Sequence, residues 1–186
     1  EGAVVALARR DGSKRWAVAL GDRVYSTPLV GDDGTLYVGT DAKKVVAIAP
    51  DGTVRWRLEV DGEADTGPAP LPGGELVVAA GSSVYAVRRR GDVAWRYTAK
   101  GKVFTAPAVT AGGLVVFGSQ DDHVHAVTSA GVEAWSVDLG ADVDGAPAIG
   151  DDGSIWVGTD RGEVVRLDAQ GRILSRTDVG GYVRGV

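Results

Sequence analysis

The chain of 186 residues contains no cysteine. Disulfides, thiolate metal sites and cysteine nucleophiles are therefore excluded. No apolar run reaches the roughly 18 residues that a membrane-spanning helix requires. Basic residues are not in excess either: the formal net charge is −5, without a long block of one sign, so we expect no nucleic-acid-binding surface. Apolar residues still make up 44% of the chain, which is enough for a hydrophobic core.

Three residue types recur along the chain with one common period. The tryptophans are Trp16, Trp56, Trp95 and Trp135, so their spacings are 40, 39 and 40 residues. Proline and glycine keep the same step, at Pro28, Pro68, Pro107 and Pro147 and at Gly12, Gly52, Gly91, Gly131 and Gly171. A fixed period of this length indicates a repeat architecture, in which each repeat is one small unit of secondary structure.

Each repeat contains four short segments separated by turn residues. The third repeat is the clearest, with segments at 103–109, 114–118, 123–127 and 132–137. Its second segment is almost wholly apolar, as expected of a strand buried on both faces, and its fourth alternates as an outer strand should. No segment has a convincing helical period. The pattern predicts an all-β fold, a β-propeller of four-stranded antiparallel blades with a repeat of about 40 residues.

We expect a single propeller domain over residues 1–186. Residues 1–20 supply only the third and fourth strands of a partial blade, and residues 180–186 begin a further first strand. Four full blades are expected at 24–60, 64–98, 103–138 and 143–177. One strand is then missing from a ring of five blades. Either the arc closes as five sectors, which we favour, or it is part of a larger propeller, or a second copy completes it through the unpaired terminal strands.

The repeat resembles a known family. Alanine, a turn glycine and tryptophan follow one another at Ala6, Gly12 and Trp16. The series recurs at Ala47, Gly52 and Trp56, at Ala86, Gly91 and Trp95, and at Ala126, Gly131 and Trp135. It resembles the tryptophan-docking motif of the quinoprotein-type (PQQ-like) propeller repeat, in which the tryptophans have a structural role between blades. The last copy departs, with Arg166 and Ser175 at the alanine and tryptophan positions, so we expect weaker docking there or a different neighbour.

The resemblance implies one of two outcomes. Quinoprotein dehydrogenases are similar in fold but larger, and they carry pyrroloquinoline quinone over a calcium ion beside an adjacent-cysteine disulfide. This chain lacks cysteine and a recognisable set of quinone and calcium ligands, so we expect no cofactor and no enzymatic activity. The other outcome is the non-enzymatic branch, which includes the outer-membrane assembly lipoprotein and the sensor propellers of bacterial kinases. It implies a protein partner and, by resemblance only, a periplasmic or other extracytoplasmic location.

The position three residues before each repeated proline is the candidate binding rim. This position varies in chemistry, whereas the residue before it stays small and apolar. The rim residues are Tyr25, Asp65, Phe104 and Asp144, with Arg184 as the aligned residue of the tail. A recurring pattern of one core residue followed by one variable polar or aromatic residue is typical of a surface whose variable side chains select a binding partner. The alternative is a set of ordinary surface residues without a ligand.

We expect neither a metal site nor a catalytic site. His123 and His125 are the only histidines, and we expect them to point to opposite faces of one strand, which is poor geometry for one metal ion. Acidic residues cluster in two equivalent loops, at Asp138, Asp142 and Asp144 and at Asp61, Glu63 and Asp65. Their spacing is not that of an EF-hand, and a solvated acidic loop is the simpler interpretation. No serine–histidine–acid pattern stands out.

The leading hypothesis is a non-catalytic propeller scaffold or recognition module that binds a protein in the bacterial envelope or in signalling. One alternative is a small-ligand or quinone-binding module, such as a fragment of a quinoprotein dehydrogenase. The other is a propeller fragment, engineered or evolutionary, that is completed by oligomerisation.

Overall fold

The computed structural model describes residues 2–185, which form eighteen β-strands and no helix. The strands make four sheets of four strands and one sheet of two. Within every sheet, neighbouring strands in the chain pair antiparallel. The predicted all-β architecture, four full blades with partial strands at the ends, is confirmed. The assignment of the whole chain to one domain stays a prediction.

Strands are numbered in chain order. The N-terminal sheet has β1 (Ala3–Leu7) and β2 (Lys14–Ala19). The first blade has β3 (Leu29–Val30), β4 (Leu36–Thr40), β5 (Lys44–Ile48) and β6 (Val54–Glu59). The second blade has β7 (Ala69–Pro70), β8 (Leu76–Ala80), β9 (Ser83–Val87) and β10 (Val93–Thr98). The third blade has β11 (Ala108–Val109), β12 (Val115–Gly118), β13 (His123–Val127) and β14 (Glu133–Asp138). The fourth blade has β15 (Ala148–Ile149), β16 (Ile155–Gly158), β17 (Glu163–Leu167) and β18 (Ile173–Asp178).

Aspartate–glycine turns close the hairpins at the ends of these strands. Between β3 and β4, Gly34 has a φ of 75°, a left-handed conformation that glycine adopts without a steric penalty. The Asp33 carboxylate accepts hydrogen bonds from the Thr35 N–H at 3.0 Å and from its hydroxyl at 2.7 Å. These bonds, together with the guanidinium of Arg55, hold the pKa of Asp33 well below its usual range. The turn is therefore fixed by its own side chains.

Apolar side chains fill the space between neighbouring sheets. The second strands of the blades lie deepest: every residue of β8 is buried, as the continuous apolar run predicts. Phe117 on β12 is fully buried between the second and third blades. In contrast, every residue of β18 is exposed, because no sheet covers the outer strand of the fourth blade. The core is thus a row of separate layers, one at each boundary between sheets.

The repeated tryptophans join each sheet to the next one along the chain. The Trp56 indole N–H donates to the carbonyl oxygen of Arg89 at 2.8 Å, and its ring lies against Gly91. A β-carbon on Gly91 would approach the Trp56 ring to 2.7 Å, so only glycine fits beneath the indole. The same hydrogen bond runs from Trp16 to Pro50 at 2.9 Å, from Trp95 to Ser129 at 2.8 Å and from Trp135 to Ala169 at 3.0 Å.

The two ends of the arc differ from its inner boundaries. A β-carbon on Gly12, the first glycine of the series, would meet no atom within 4 Å. At the other end, Val183 packs against Gly158, and Gly185 makes an isolated parallel bridge to Ala146. Within residues 2–185, no backbone hydrogen bond joins this tail to the N-terminal sheet. Closure as five sectors, which we favoured, membership of a larger propeller and completion by a second copy all stay predictions.

The contrast between Gly12 and Gly131 gives a matched test of tryptophan docking. Both glycines have a positive φ, 70° and 82°, so alanine is strained at both. We expect Gly12→Ala to lower the free energy of unfolding by about 1 kcal/mol. Gly131→Ala should lower it by about 2 kcal/mol, because the new methyl group would also displace Trp95. Urea denaturation checks this, and equal losses would show that the indole contact adds nothing.

Candidate functional site

The candidate rim lies on the face where two kinds of loop meet. One is the connection that leads into each blade, and the other joins the second and third strands of a blade. In the third blade, the Gln120 N–H donates to the Lys102 carbonyl oxygen at 2.9 Å, and the Val103 N–H donates to the Gly81 carbonyl oxygen at 2.8 Å. Val103 is 4% exposed, whereas Phe104 beside it is 45% exposed. The buried neighbour thus anchors the backbone while the rim side chain faces outward.

The structure brings three of the five predicted rim residues together. Phe104, Asp144 and Arg184 line a cavity of about 490 Å³ with Gln120. The Gln120 side-chain amide donates to the Asp144 carboxylate at 3.4 Å. The cavity therefore spans the boundary between the third and fourth blades.

A second cavity shares Phe104 and contains a fourth predicted residue. Asp65 and Phe104 line this cavity of about 190 Å³ together with Glu63, Lys43 and Lys102. The Lys102 ammonium lies 5.4 Å from the centre of the Phe104 ring, within cation–π range. Phe104 is thus the wall between two polar cavities.

Tyr25, the fifth predicted rim residue, lies apart from this group. Its side chain is 66% exposed and lines neither cavity. Lys102 and Gln120 also line these cavities but were not predicted from the sequence. Their backbone hydrogen bond recurs between Asp41 and Arg23 and between Asp160 and Asp142, so the repeat itself was the signal that could have found them.

Several carboxylates at the rim have a buried oxygen without a hydrogen-bond donor in the described part of the chain, or lie close to other negative charges. The Oδ1 atoms of Asp41, Asp65 and Asp144 are buried and have no hydrogen-bond partner within residues 2–185. Burial raises the pKa of Asp65 to about 6, and a hydrogen bond with Asp41 and the negative charges of Asp41 and Glu63 act in the same direction. Burial and the neighbouring carboxylates likewise raise the pKa of Asp142. A buried polar atom without a partner is costly, so these oxygens favour an external donor.

Asp65 makes the stability of the chain depend on pH. Its folded pKa lies above the ordinary value of 3.8, so this group's contribution is full below that value and is lost as the pH rises through about 6. We expect Asp65→Asn to flatten this part of the pH profile and to stabilise the chain by about 1 kcal/mol near neutral pH, since solvent screens a partly exposed group. Denaturation at several pH values measures both effects.

Asp51→Asn is the control for this prediction. Hydrogen bonds from Thr53 lower the pKa of Asp51, so the ionised form is favoured in the folded chain. The asparagine variant should therefore gain no stability near neutral pH. If Asp65→Asn behaved in the same way as Asp51→Asn, the strain assigned to the Asp65 carboxylate would be wrong.

The two histidines are arranged differently from our expectation. They lie on the same face of β13, because residues i and i+2 of a regular strand share a face, and the ring centres of His123 and His125 are 5.8 Å apart. The expectation of opposite faces is therefore wrong. His125 is 5% exposed and packs between the second and third blades. Residues 2–185 contain no group of three or more histidine and acidic side chains placed to hold a metal ion.

Known proteins share the repeat of this chain. The family model described as outer membrane protein assembly factor BamB matches residues 1–122 and 120–186. The chain belongs to this family. The resemblance to the PQQ-like propeller repeat is thereby confirmed. No functionally curated protein matches the sequence.

Solved structures show the same fold at low sequence identity. BamB from Moraxella catarrhalis superposes with a TM-score of 0.82 at 21% identity, over 98% of this chain and 57% of that one. A protein of unknown function from Bacteroides caccae superposes with a TM-score of 0.66 at 20% identity, over 93% of this chain and 68% of that one. Quinohemoprotein alcohol dehydrogenase from Comamonas testosteroni superposes with a TM-score of 0.74 at 17% identity, over 88% of this chain and 36% of that one. The chain, a member of the BamB family, thus spans little more than half the length of the Moraxella protein.

Proposed function

We propose that this chain is a non-catalytic scaffold that binds a protein partner through the rim around Phe104. One observation carries the proposal: an exposed aromatic side chain lines two cavities, and each cavity contains a carboxylate oxygen that has no hydrogen-bond partner among residues 2–185. Exposed aromatic side chains of this kind anchor protein interfaces because they bury a large area at low entropic cost.

The chemistry of the cavities indicates the partner. Asp65 and Asp144 would gain from a positively charged donor, which would satisfy their free oxygens and offset the repulsion among neighbouring carboxylates. Phe104 would take the apolar part of the same segment. The proposed partner is therefore a protein segment that combines basic and apolar side chains.

A peptide probe tests this chemistry directly. We expect a peptide of alternating arginine and leucine to bind the chain, and the matched peptide of glutamate and leucine not to bind. Binding of the arginine peptide should weaken in Phe104→Ala. It should also strengthen from about pH 5 to about pH 7, because Asp65 loses its proton near pH 6. Equal binding of the two peptides would contradict the proposal.

A quinone-binding module is the second candidate, favoured by the likeness to the quinohemoprotein alcohol dehydrogenase. That likeness covers 36% of the enzyme and concerns the fold alone. Calorimetric titration with pyrroloquinoline quinone and calcium separates the candidates: the scaffold hypothesis expects no heat of binding, and a saturable heat would favour the ligand-binding module.

We further propose that the scaffold works in the bacterial envelope, since its family is described by an outer membrane assembly factor. Residues 2–185 include no helix with the length and apolarity to cross a membrane. Fractionation of cells that express the native gene tests the location, and recovery in the cytoplasm alone would contradict it.

A further inference from the structure

A row of four polar side chains crosses the boundary between the second and third blades. His125 on β13 is its centre, with Nε2 at 3.1 and 3.2 Å from the two carboxylate oxygens of Asp121. The other ring nitrogen, Nδ1, lies 3.1 Å from the hydroxyl of Tyr97 on β10. That hydroxyl also contacts the carboxylate of Glu133 on β14. Three hydrogen bonds in series therefore link Tyr97 of the second blade to three residues of the third.

All four members of the row depart from the repeat. They belong to one boundary only. In the second blade, Tyr85 takes the place of His125 and donates instead to the Asp61 carboxylate at 2.6 Å, and the first and fourth blades carry residues that cannot form the row. In the first blade, the residues equivalent to Tyr97, Asp121, His125 and Glu133 are Leu58, Ala42, Val46 and Val54. In the fourth blade, they are Thr177, Arg161, Val165 and Ile173. A feature built once in a repeated structure indicates a role beyond that of the repeat.

The row is sheltered at its centre. The His125 side chain is 7% exposed and that of Asp121 is 9% exposed, so bulk water cannot replace their hydrogen bonds. Phe117 stacks on the His125 ring with centres 5.3 Å apart. The other charged or titratable groups facing the row are His123, whose Nδ1 lies 2.5 Å from the Asp121 carbonyl oxygen, and Lys100, which lines the same cavity.

Counting protons shows when the row is complete. Three hydrogen bonds need three protons. As carboxylates, Asp121 and Glu133 supply none, and the Tyr97 hydroxyl supplies one. Both nitrogens of His125 must therefore carry a proton for all three bonds to form. With a neutral ring, one bond lacks its hydrogen and two lone pairs face each other.

The charge states of the flanking groups agree with this count. Burial alone would raise the pKa of Asp121, but hydrogen bonds, including the one with His125, lower it overall, so Asp121 is a carboxylate. Burial and the hydrogen bond to Glu133 raise the pKa of Tyr97, so the phenol keeps its proton. When this proton is donated to Glu133, the Tyr97 oxygen accepts from a protonated Nδ1 of His125.

We propose that protonation of His125 fastens the third blade to the second. Loss of that proton at higher pH loosens the boundary, and the range that tests this is about pH 5 to 8, over which histidine side chains in general change their charge. The blades also meet through the Lys100 N–H, which donates to Asp121 at 3.0 Å, so the same carboxylate serves both contacts.

Chemical denaturation across this pH range tests the proposal on the whole chain. His125→Val is the main variant, because valine already fills the equivalent position in two blades. Relative to this variant, we expect the unfolding equilibrium constant of the native chain to rise with pH, by at most about tenfold per pH unit, the limit for one proton. The contribution of Asp65 is common to both proteins and cancels in the ratio.

Two further measurements keep the proposal falsifiable if His125→Val fails to fold. Tyr97→Phe retains the buried ring and removes the hydroxyl, so it should flatten the same part of the pH profile. Nitrogen-15 NMR should show both nitrogens of His125 protonated at the acidic end of the range and one at the alkaline end. A pH-independent ratio, or a ring that keeps one proton throughout, would overturn the proposal.

Discussion

Replacing Trp95 by alanine is expected to lower the free energy of unfolding by about 3 kcal/mol, near the lower end of what buried tryptophans lose. The ring is partly buried against Gly131, and its N–H donates to the Ser129 carbonyl oxygen at 2.8 Å. The variant loses both the packing and the hydrogen bond, and it leaves a gap between the second and third blades. Urea denaturation followed by circular dichroism measures the change.

Trp95→Phe separates the two contributions. Phenylalanine keeps an aromatic ring at the boundary but cannot donate to Ser129, so we expect a loss of about 1 kcal/mol from the hydrogen bond alone. If Trp95→Ala cost no more than Trp95→Phe, packing of the ring would not hold the blades together, and the tryptophan would be only a surface residue.

Reversing the charge of Asp144 is expected to weaken binding of the arginine–leucine peptide by about a hundredfold. Asp144 has a buried, unpartnered oxygen in the cavity that it shares with Phe104. Asp144→Lys replaces an acceptor with a cation, so the peptide loses an attraction and meets a repulsion, each of which costs on the order of 1 to 2 kcal/mol at a partly buried site. Fluorescence anisotropy of a labelled peptide measures the affinity.

Asp151→Lys is the matched control. Asp151 belongs to the same blade and undergoes the same change of charge, but it is exposed in the turn between β15 and β16. Its substitution should alter the affinity severalfold at most. Equal effects of the two variants would mean that the peptide responds to net charge and does not occupy the rim.

The repeat explains how much of this molecule could be read from its sequence. Tryptophan, glycine and proline at one period predicted four-stranded blades, because each strand must bury the same face against the next sheet. The departure of the last copy of the docking motif was also apparent from the sequence. Arg166 there pairs with Asp152 at 2.6 Å and lies 5.3 Å from the centre of the Trp156 ring, so a charged side chain covers the outward face of the fourth blade.

Features that lie between repeats were harder to predict. The row from Asp121 to Tyr97 joins residues of different blades, and the distance between them depends on how the sheets stack. The error on His123 and His125 had a simpler origin, because alternation along a strand places residues two apart on one face. The rim cavities likewise form between neighbouring blades, and their shape depends on how the sheets stack.

The most direct test of the scaffold hypothesis is site-specific photo-crosslinking in intact bacteria. A photoreactive phenylalanine analogue is placed at Phe104 on the rim or at Val132, which is 63% exposed in the turn before β14. We predict a discrete crosslinked protein at Phe104 that is absent at Val132 and is lost when Asp144→Lys is added. No crosslink at Phe104, or the same products from both positions, would contradict the account.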